Sequence, residues 1–119
     1  MLKLPNAHQA RIERAKVLDY LLSTSHPDGR SKAAFFSRFG FEAGQWQSFA
    51  AALRDHGANN EVVEMVVSDY GTRYSVDGMI ETPDGRNPDV RTVWIIDTAD
   101  SEPRLVTAYP LRREYARRT

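Results

Sequence analysis

The hydrophobic pattern of this chain changes its period once, near Asn60, and that change limits the folds open to it. Before Asn60, apolar residues recur every three or four positions, which is the spacing of an amphipathic helix. After it, valine-rich segments alternate or run apolar throughout, as strands do. No helical segment separates these strand segments, so an antiparallel meander is expected. The pattern predicts an α+β fold, with two to three N-terminal helices on one face of a four-stranded antiparallel sheet.

Polar N-caps and glycine or proline stops mark the limits of the predicted helices. The predicted spans are 6–23, 32–39 and 44–56. Asn6 and Ser31 are the expected caps of the first two, and Gly57 is expected to end the third. His56 falls in the last turn of the third helix, where the helix dipole favours a cation, and we interpret it as incidental to function.

The four predicted strands leave one choice open. Their spans are 62–68, 74–80, 90–97 and 104–109. Side chains alternate across a strand, but the third strand is apolar on both faces. In one arrangement Thr92 and Trp94 line the open face together with Thr107 and Tyr109. In the opposite arrangement Arg91 points to a cleft in place of Thr92.

The length of 119 residues suits a single domain, 1–119, with a helical half at 6–57, a sheet half at 61–110 and a basic tail at 111–119. The absence of cysteine excludes disulfides and thiolate metal sites. The three histidines have no metal-ligand spacing, so neither a metal nor another cofactor is expected. No apolar run approaches a membrane span, and a cytoplasmic location is expected, in the producing cell or after delivery into a target cell.

Charge is distributed unevenly in a chain whose net charge is +0. Residues 61–102 hold 10 acidic and 3 basic side chains, whereas residues 103–119 hold 5 basic and 1 acidic. A neutral chain with an acidic sheet segment is not typical of a nucleic-acid binder. Two interpretations of the basic C-terminal segment stay open: part of a basic surface, or a solvated tail.

Two groups of residues could carry chemistry. His26 lies in a loop ahead of a helix, with Arg30 and Lys32 close behind it. A histidine can transfer protons near neutral pH, and cations beside a helix N-terminus can hold a phosphate. The second group is the hydroxyls and rings of the last two strands, on which a base could stack. Each group also has a plain structural interpretation, as a solvated turn and as good strand formers.

Several phrases resemble a small bacterial family, domain of unknown function 6883, over roughly residues 3–111. They are Leu4-Pro5-Asn6-Ala7, His26-Pro27-x-Gly29-Arg30-Ser31-Lys32-Ala33, Val90-Arg91-Thr92-Val93-Trp94-Ile95-Ile96 and Pro103-Arg104-Leu105-Val106-Thr107-Ala108-Tyr109-Pro110. More distantly, helices followed by a sheet ending in such a strand resemble the barnase–EndoU–colicin–RelE superfamily of small RNases and toxins. That resemblance implies a metal-independent site on the sheet, with Thr107 on the closing strand and His26, Arg30 or Lys32 reaching in from the helical half.

Two functions follow as hypotheses. The first is a toxin-type endoribonuclease in which His26, Lys32 and Thr107 are catalytic, with RNA as substrate and a cognate antitoxin or immunity protein as partner. Arg30, Arg91, Thr92, Trp94 and Tyr109 would bind the substrate. The second is a non-catalytic protein-interaction module, an accessory or immunity-type partner, which predicts an exposed apolar patch or an open sheet edge.

Overall fold

A computed structural model describes residues 2–111, so most of the predicted basic tail lies outside the described residues. Three helices precede the sheet. Helix α1 begins as Arg14–Lys16 and continues as a π-helical turn, Val17–Leu21; α2 is Arg30–Arg38, and α3 is Trp46–Asn59. Short 3₁₀ turns lie at Ala7–Gln9 and Ala43–Gln45. The helical half is therefore built as the hydrophobic spacing predicts, although its element limits differ.

The predicted single helix from residue 6 to 23 is wrong in its first part. Asn6 adopts a left-handed backbone, with φ 54°, and its side-chain amide donates to the carbonyl of Ser101 instead of capping a helix. Arg11 then forms a parallel bridge to Arg104 at the start of the last strand. Tertiary hydrogen bonds to residues near position 101 thus replace the first helical turns.

The sheet is a four-stranded antiparallel meander, which confirms the predicted fold class. Its strands are β1 at Glu61–Ser68, β2 at Gly71–Met79, β3 at Asp89–Asp97 and β4 at Arg104–Pro110, in the order β1-β2-β3-β4. The register shifts between Val62 and Glu64 in β1, and opposite Val93 and Trp94 in β4. The second irregularity leaves Val106 without a register partner, next to the residue that matters most for the site, Thr107.

The helices cover one face of the sheet. Helix α3 packs on β2 and β3, while α1 and α2 contact β4. Trp94 is fully buried against Gly57, where a Cβ would come within 2.8 Å of the indole ring. Gly57 therefore lies inside α3, where it allows close packing. The prediction that Gly57 ends this helix is wrong, because α3 continues to Asn59. In the described chain, no helix is both long and apolar enough to cross a membrane.

The third strand turns Thr92 and Trp94 towards the helices, where both are 0% exposed. The arrangement that placed these two side chains on an open face is therefore wrong, because the large indole fills the space beneath α3. The opposite arrangement is observed: Arg91 points away from the helices and pairs with Asp77 of β2. Because the Trp94 ring is buried, a nucleotide base cannot stack on it.

Candidate active site

A cleft of about 750 Å³ lies between α1, the loop that precedes α2, and β4. We call it the Tyr20 cleft. Helix α1 and the residue before it contribute Glu13, Ala15, Lys16, Asp19 and Tyr20, the loop contributes His26 and Asp28, and β4 contributes Arg104, Val106 and Thr107. Two stretches that are some eighty residues apart in sequence, the His26 loop and the Thr107 strand, thus meet at one concave surface.

Tyr20 is the residue that joins the two stretches. Its hydroxyl shares a hydrogen bond with the Thr107 hydroxyl, with 3.0 Å between the two oxygens. Its ring meets the His26 ring edge-on, with 5.0 Å between centroids. The ammonium groups of Lys16 and Lys32 lie 5.2 Å and 5.3 Å from the centroid of the same ring. Cations at this distance are attracted to the ring's quadrupole and hold the phenol in one position.

The hydrogen bonds of His26 decide which nitrogen carries its hydrogen. Its Nδ1 accepts from the backbone N–H groups of Asp28 and Gly29, each at 3.0 Å. An accepting nitrogen carries no hydrogen, so the ring is the Nε2–H tautomer. With one nitrogen occupied and the other protonated, His26 has no free lone pair to take a proton from a substrate. It can donate a hydrogen bond, whereas the proton-transfer role predicted for it would require a free lone pair that this geometry lacks.

Close packing at Gly29 keeps the His26 loop against α1. A Cβ at this position would collide with the backbone carbonyl of Tyr20, so only glycine fits without movement of the backbone. Lys32 strengthens the same junction by donating to the carbonyl of Asp28 at 3.1 Å. Lys32 therefore supports the loop and lies over the Tyr20 ring, but it is not among the residues that line the cleft.

Among residues 2–111, the side chains that line the cleft do not make it electropositive. Two cations, Lys16 and Arg104, line it beside the carboxylates of Glu13, Asp19 and Asp28. Arg104 is further offset by Asp97, whose carboxylate lies 3.4 Å from the guanidinium. Such a lining can hold one or two phosphates of a polyanion, but it lacks the surplus of positive charge that binds a long duplex.

The five predicted substrate-binding residues are not among those that line the cleft: Arg30, Arg91, Thr92, Trp94 and Tyr109. Arg30 is exposed at the start of α2 and is not part of the cleft lining. On the sheet face away from α3, Arg91 makes two hydrogen bonds to the carboxylate of Asp77, at 2.7 Å and 2.9 Å. Those bonds, and a further interaction with Tyr109, hold the pKa of Arg91 above its ordinary value. The guanidinium is thus already committed to a carboxylate within the protein.

Thr92 and Trp94 belong to a buried hydrogen-bond chain with His56. Nε2 of His56 contacts the carbonyls of Gly78 and Val90, at 3.0 Å and 3.1 Å. Carbonyls can only accept, so Nε2 carries the hydrogen and Nδ1 accepts from the Thr92 hydroxyl at 3.0 Å. The Trp94 indole N–H donates to the same hydroxyl at 2.8 Å.

Our prediction of a cation favoured by the helix dipole at His56 is consequently wrong, whereas the interpretation of this residue as incidental to function is not contradicted. The side chain is 2% exposed, and burial lowers its pKa from the ordinary value of 6.5. It joins α3 to the backbones of β2 and β3, which is a structural role.

Sequence reasoning missed Tyr20 and Lys16. Both lie on one side of α1, since residues four apart on a helix are neighbours. The sequence signal that could have identified them is a tyrosine, Tyr20, beside the apolar stripe of the helix and one turn after a lysine, Lys16. It was passed over because the partner of its hydroxyl, Thr107, is 87 positions away along the chain.

Together, the fold and the cleft define a class of protein: a small α+β domain whose last strand and first helix enclose a tyrosine-centred cleft. The chain belongs to the family described as Domain of unknown function (DUF6883), whose model matches residues 3–112. This confirms the family resemblance predicted from the sequence. Among curated proteins, none is significantly similar to this chain.

A solved structure has a similar fold. It is a chain of the contact-dependent growth inhibition toxin–immunity protein complex from Klebsiella pneumoniae 342. The two chains are 19% identical, the similarity covers 87% of this chain and 95% of that chain, and the TM-score is 0.61. At this identity the likeness shows a shared fold.

Proposed function

We propose that this domain is a toxin-type endoribonuclease that acts in a cytoplasm, cleaving RNA at the Tyr20 cleft without a metal ion. The observation that carries the proposal is the hydrogen bond between Tyr20 and Thr107 in a cleft that also holds His26. Proton donors and a proton acceptor beside one concave surface are what phosphodiester transesterification requires. The shared fold with a chain of a toxin–immunity complex supports the toxin-type role, with a cognate inhibitor protein as partner.

The proposed reaction is an attack by the RNA 2′-oxygen on the adjacent phosphorus. A bond forms between these atoms, and the bond from phosphorus to the 5′-oxygen breaks, leaving a cyclic phosphate and a 5′-hydroxyl end. One of the lining carboxylates, Glu13, Asp19 or Asp28, takes the proton of the 2′-hydroxyl. Tyr20 gives its phenolic proton to the leaving oxygen, and solvent then restores both groups.

The other groups of the cleft stabilise the phosphoryl charge or position the reacting groups. His26 donates through Nε2–H to a non-bridging phosphoryl oxygen, and the Lys16 ammonium stabilises the charge that develops there. In this scheme the Thr107 hydroxyl donates to the Tyr20 oxygen, which leaves the phenolic hydrogen free for the substrate. Thr107 is therefore a positioning residue for Tyr20, and Lys32 and Gly29 hold the loop that carries His26.

The test is RNA cleavage by the purified protein in the presence of a chelator, with the product ends analysed for cyclic phosphate. Tyr20→Phe keeps the ring that contacts His26 and both lysines, but removes the proton donor. Loss of a general acid costs roughly 10²-fold or more in rate. Tyr70→Phe is the matched control, since it removes the same hydroxyl from a turn residue that is 82% exposed.

Cleavage that survives Tyr20→Phe unchanged would remove Tyr20 from the mechanism. A wild-type protein that leaves every cellular RNA intact, and that is harmless when expressed, would refute the nuclease proposal as a whole.

A second candidate function is a non-catalytic protein-interaction module. It is favoured by the exposed apolar side chains of β1, where Val67 is 70% exposed. This candidate predicts that Tyr20→Phe and Thr107→Val leave every measured property of the protein except its stability unchanged. The cleavage assay above separates the two functions.

A further inference from the structure

Strand β1 combines an apolar surface with an unpaired edge. Val63, Met65, Val66 and Val67 are each between 51% and 70% exposed, and Tyr70 in the following turn is 82% exposed. Their side chains extend to both sides of the strand, because neighbouring residues point in opposite directions. Monomeric proteins rarely leave so concentrated an apolar surface open unless it contacts something.

The backbone of β1 is also available on the side away from β2. At the start of the strand, the Val62 N–H donates to the carbonyl of Leu2 at 2.9 Å. Within residues 2–111, that carbonyl is the one backbone partner of β1 outside β2. Ser68 and Gly71 form the hydrogen-bonded pair that closes the hairpin, and along β1 the backbone groups of successive residues point alternately towards β2 and away from it. The N–H and C=O groups of Met65 and Val67 therefore point away from β2.

Within residues 2–111, most of this edge lacks the usual protections against added strands. Native edge strands are commonly guarded by lysine, proline or a covering loop. Between Glu61 and Thr72 the chain contains neither lysine nor proline. The bulge at the start of β1 distorts only its first residues, and the pairing from Glu64 to Ser68 is regular.

Charge indicates what kind of strand the edge would accept. From Glu61 to Thr72 the chain carries three carboxylates, Glu61, Glu64 and Asp69, and no basic side chain. A second copy of this chain would double those carboxylates at the interface, while its Arg73, opposite Val66, would lie one strand further back on β2. A strand with lysine or arginine beside its apolar residues would neutralise them, which is the complementarity that favours a particular partner.

We propose that β1 is a docking edge for a different protein, which adds an extended segment that alternates apolar residues with lysine or arginine. The added strand would bond to the outward backbone groups of Met65 and Val67 and cover their side chains, as in other cases of strand addition. This surface is a separate site from the Tyr20 cleft, and the inference holds whether or not the domain cleaves RNA.

The test uses synthetic strand peptides of roughly nine residues, which is within the usual strand length of about 3–10 residues. One peptide alternates valine with lysine, a second alternates valine with glutamate, and a third is the lysine peptide with alternate backbone amides methylated. We expect the lysine peptide to bind and to slow hydrogen exchange at the amides of Met65 and Val67. The glutamate peptide should bind at least about tenfold more weakly, since two or three surface ion pairs are exchanged for repulsions. The methylated peptide should not bind.

Variants of the protein locate the contact. Val67→Lys should abolish binding of the lysine peptide, because it places a cation on the edge and removes apolar surface. Met79→Lys is the control, since Met79 is 64% exposed at the far end of β2 and should bind the peptide as the wild type does.

Three results would overturn the proposal. The first is no binding at millimolar peptide, and the second is equal binding of the lysine and glutamate peptides. The third is a protein that sediments as a dimer and becomes monomeric in Val67→Lys, which would make a second copy the occupant. RNA cleavage is measured separately, so its failure does not affect these outcomes.

Discussion

Removal of the Thr92 hydroxyl is the sharpest way to separate structural from functional residues in this domain. Thr92→Val keeps the shape of the side chain and replaces with a methyl group the hydroxyl that links His56 to Trp94. In one of the two arrangements that the sequence left open, Thr92 lies at a substrate-binding face, whereas the structure places it in the core. The two views predict different results for the same substitution.

The expected cost follows from the groups left without partners. Without the hydroxyl, the Trp94 indole N–H and the His56 Nδ1 are both buried and unsatisfied, since Trp94 is 0% and His56 2% exposed. Each such group costs about 1–3 kcal/mol, and the added methyl returns a little under 1 kcal/mol. We therefore expect the free energy of unfolding to fall by about 3 kcal/mol, which lowers Tm by about 12 °C in a domain of this size.

Urea denaturation and calorimetry measure this cost, and RNA cleavage is measured per folded molecule. We expect Thr92→Val to lose stability and to retain the cleavage rate of the wild type. Thr107→Val is the matched control, in which the lost hydroxyl is half-buried at the cleft: its stability should fall by less than about 1 kcal/mol, and its cleavage should slow. A Thr92→Val protein as stable as the wild type would show that the buried chain does not exist as described.

Three further predictions follow. Burial lowers the pKa of His56 below 6.5, so the imidazole takes up a proton more readily in the unfolded chain than in the folded protein. The free energy of unfolding should therefore be constant above about pH 6.5 and fall by at most about 2 kcal/mol between there and about pH 5. A free energy of unfolding that rises on acidification would contradict this prediction. Gly29→Ala should lower Tm because its methyl group collides with the carbonyl of Tyr20, whereas Gly44→Ala, with no atom within 4 Å, should not; equal melting of the two variants would refute the packing argument. If Lys16 and Arg104 are the phosphate contacts, binding of single-stranded RNA should weaken with salt at a logarithmic slope of roughly −1.4, and a slope of roughly −4 would indicate another basic surface.

The order of elements could be predicted because it depends on local periodicity. Helical spacing around Trp46 to Leu53 and valine-rich runs after Asn60 are properties of neighbouring residues, and both appear in the structure. The first helix was mispredicted where contacts with residues distant in sequence override the local helix signals. Asn6 is a good cap by composition, but its amide is used by the backbone at Ser101.

The candidate site could be predicted only in part. The His26 loop and Thr107 do line one cleft, yet Tyr20, the residue between them, was not identified. The face of β3 could not be chosen either, because Val93 and Ile95 are as apolar as their neighbours, and the choice depends on how Trp94 fits beneath α3. Such information lies in long-range packing and is absent from spacing along the chain.

One wall of the Tyr20 cleft comes from the first helix and the other from the last strand. The cleft can therefore form only after both elements have been synthesised. A ribosome makes Tyr20 early and Thr107 late, so a nascent chain that carries everything through β3 still has half a site. If the domain is an RNase, the cell that makes it meets no assembled site on an incomplete polypeptide, and an inhibitor needs to act only after the final strand has emerged.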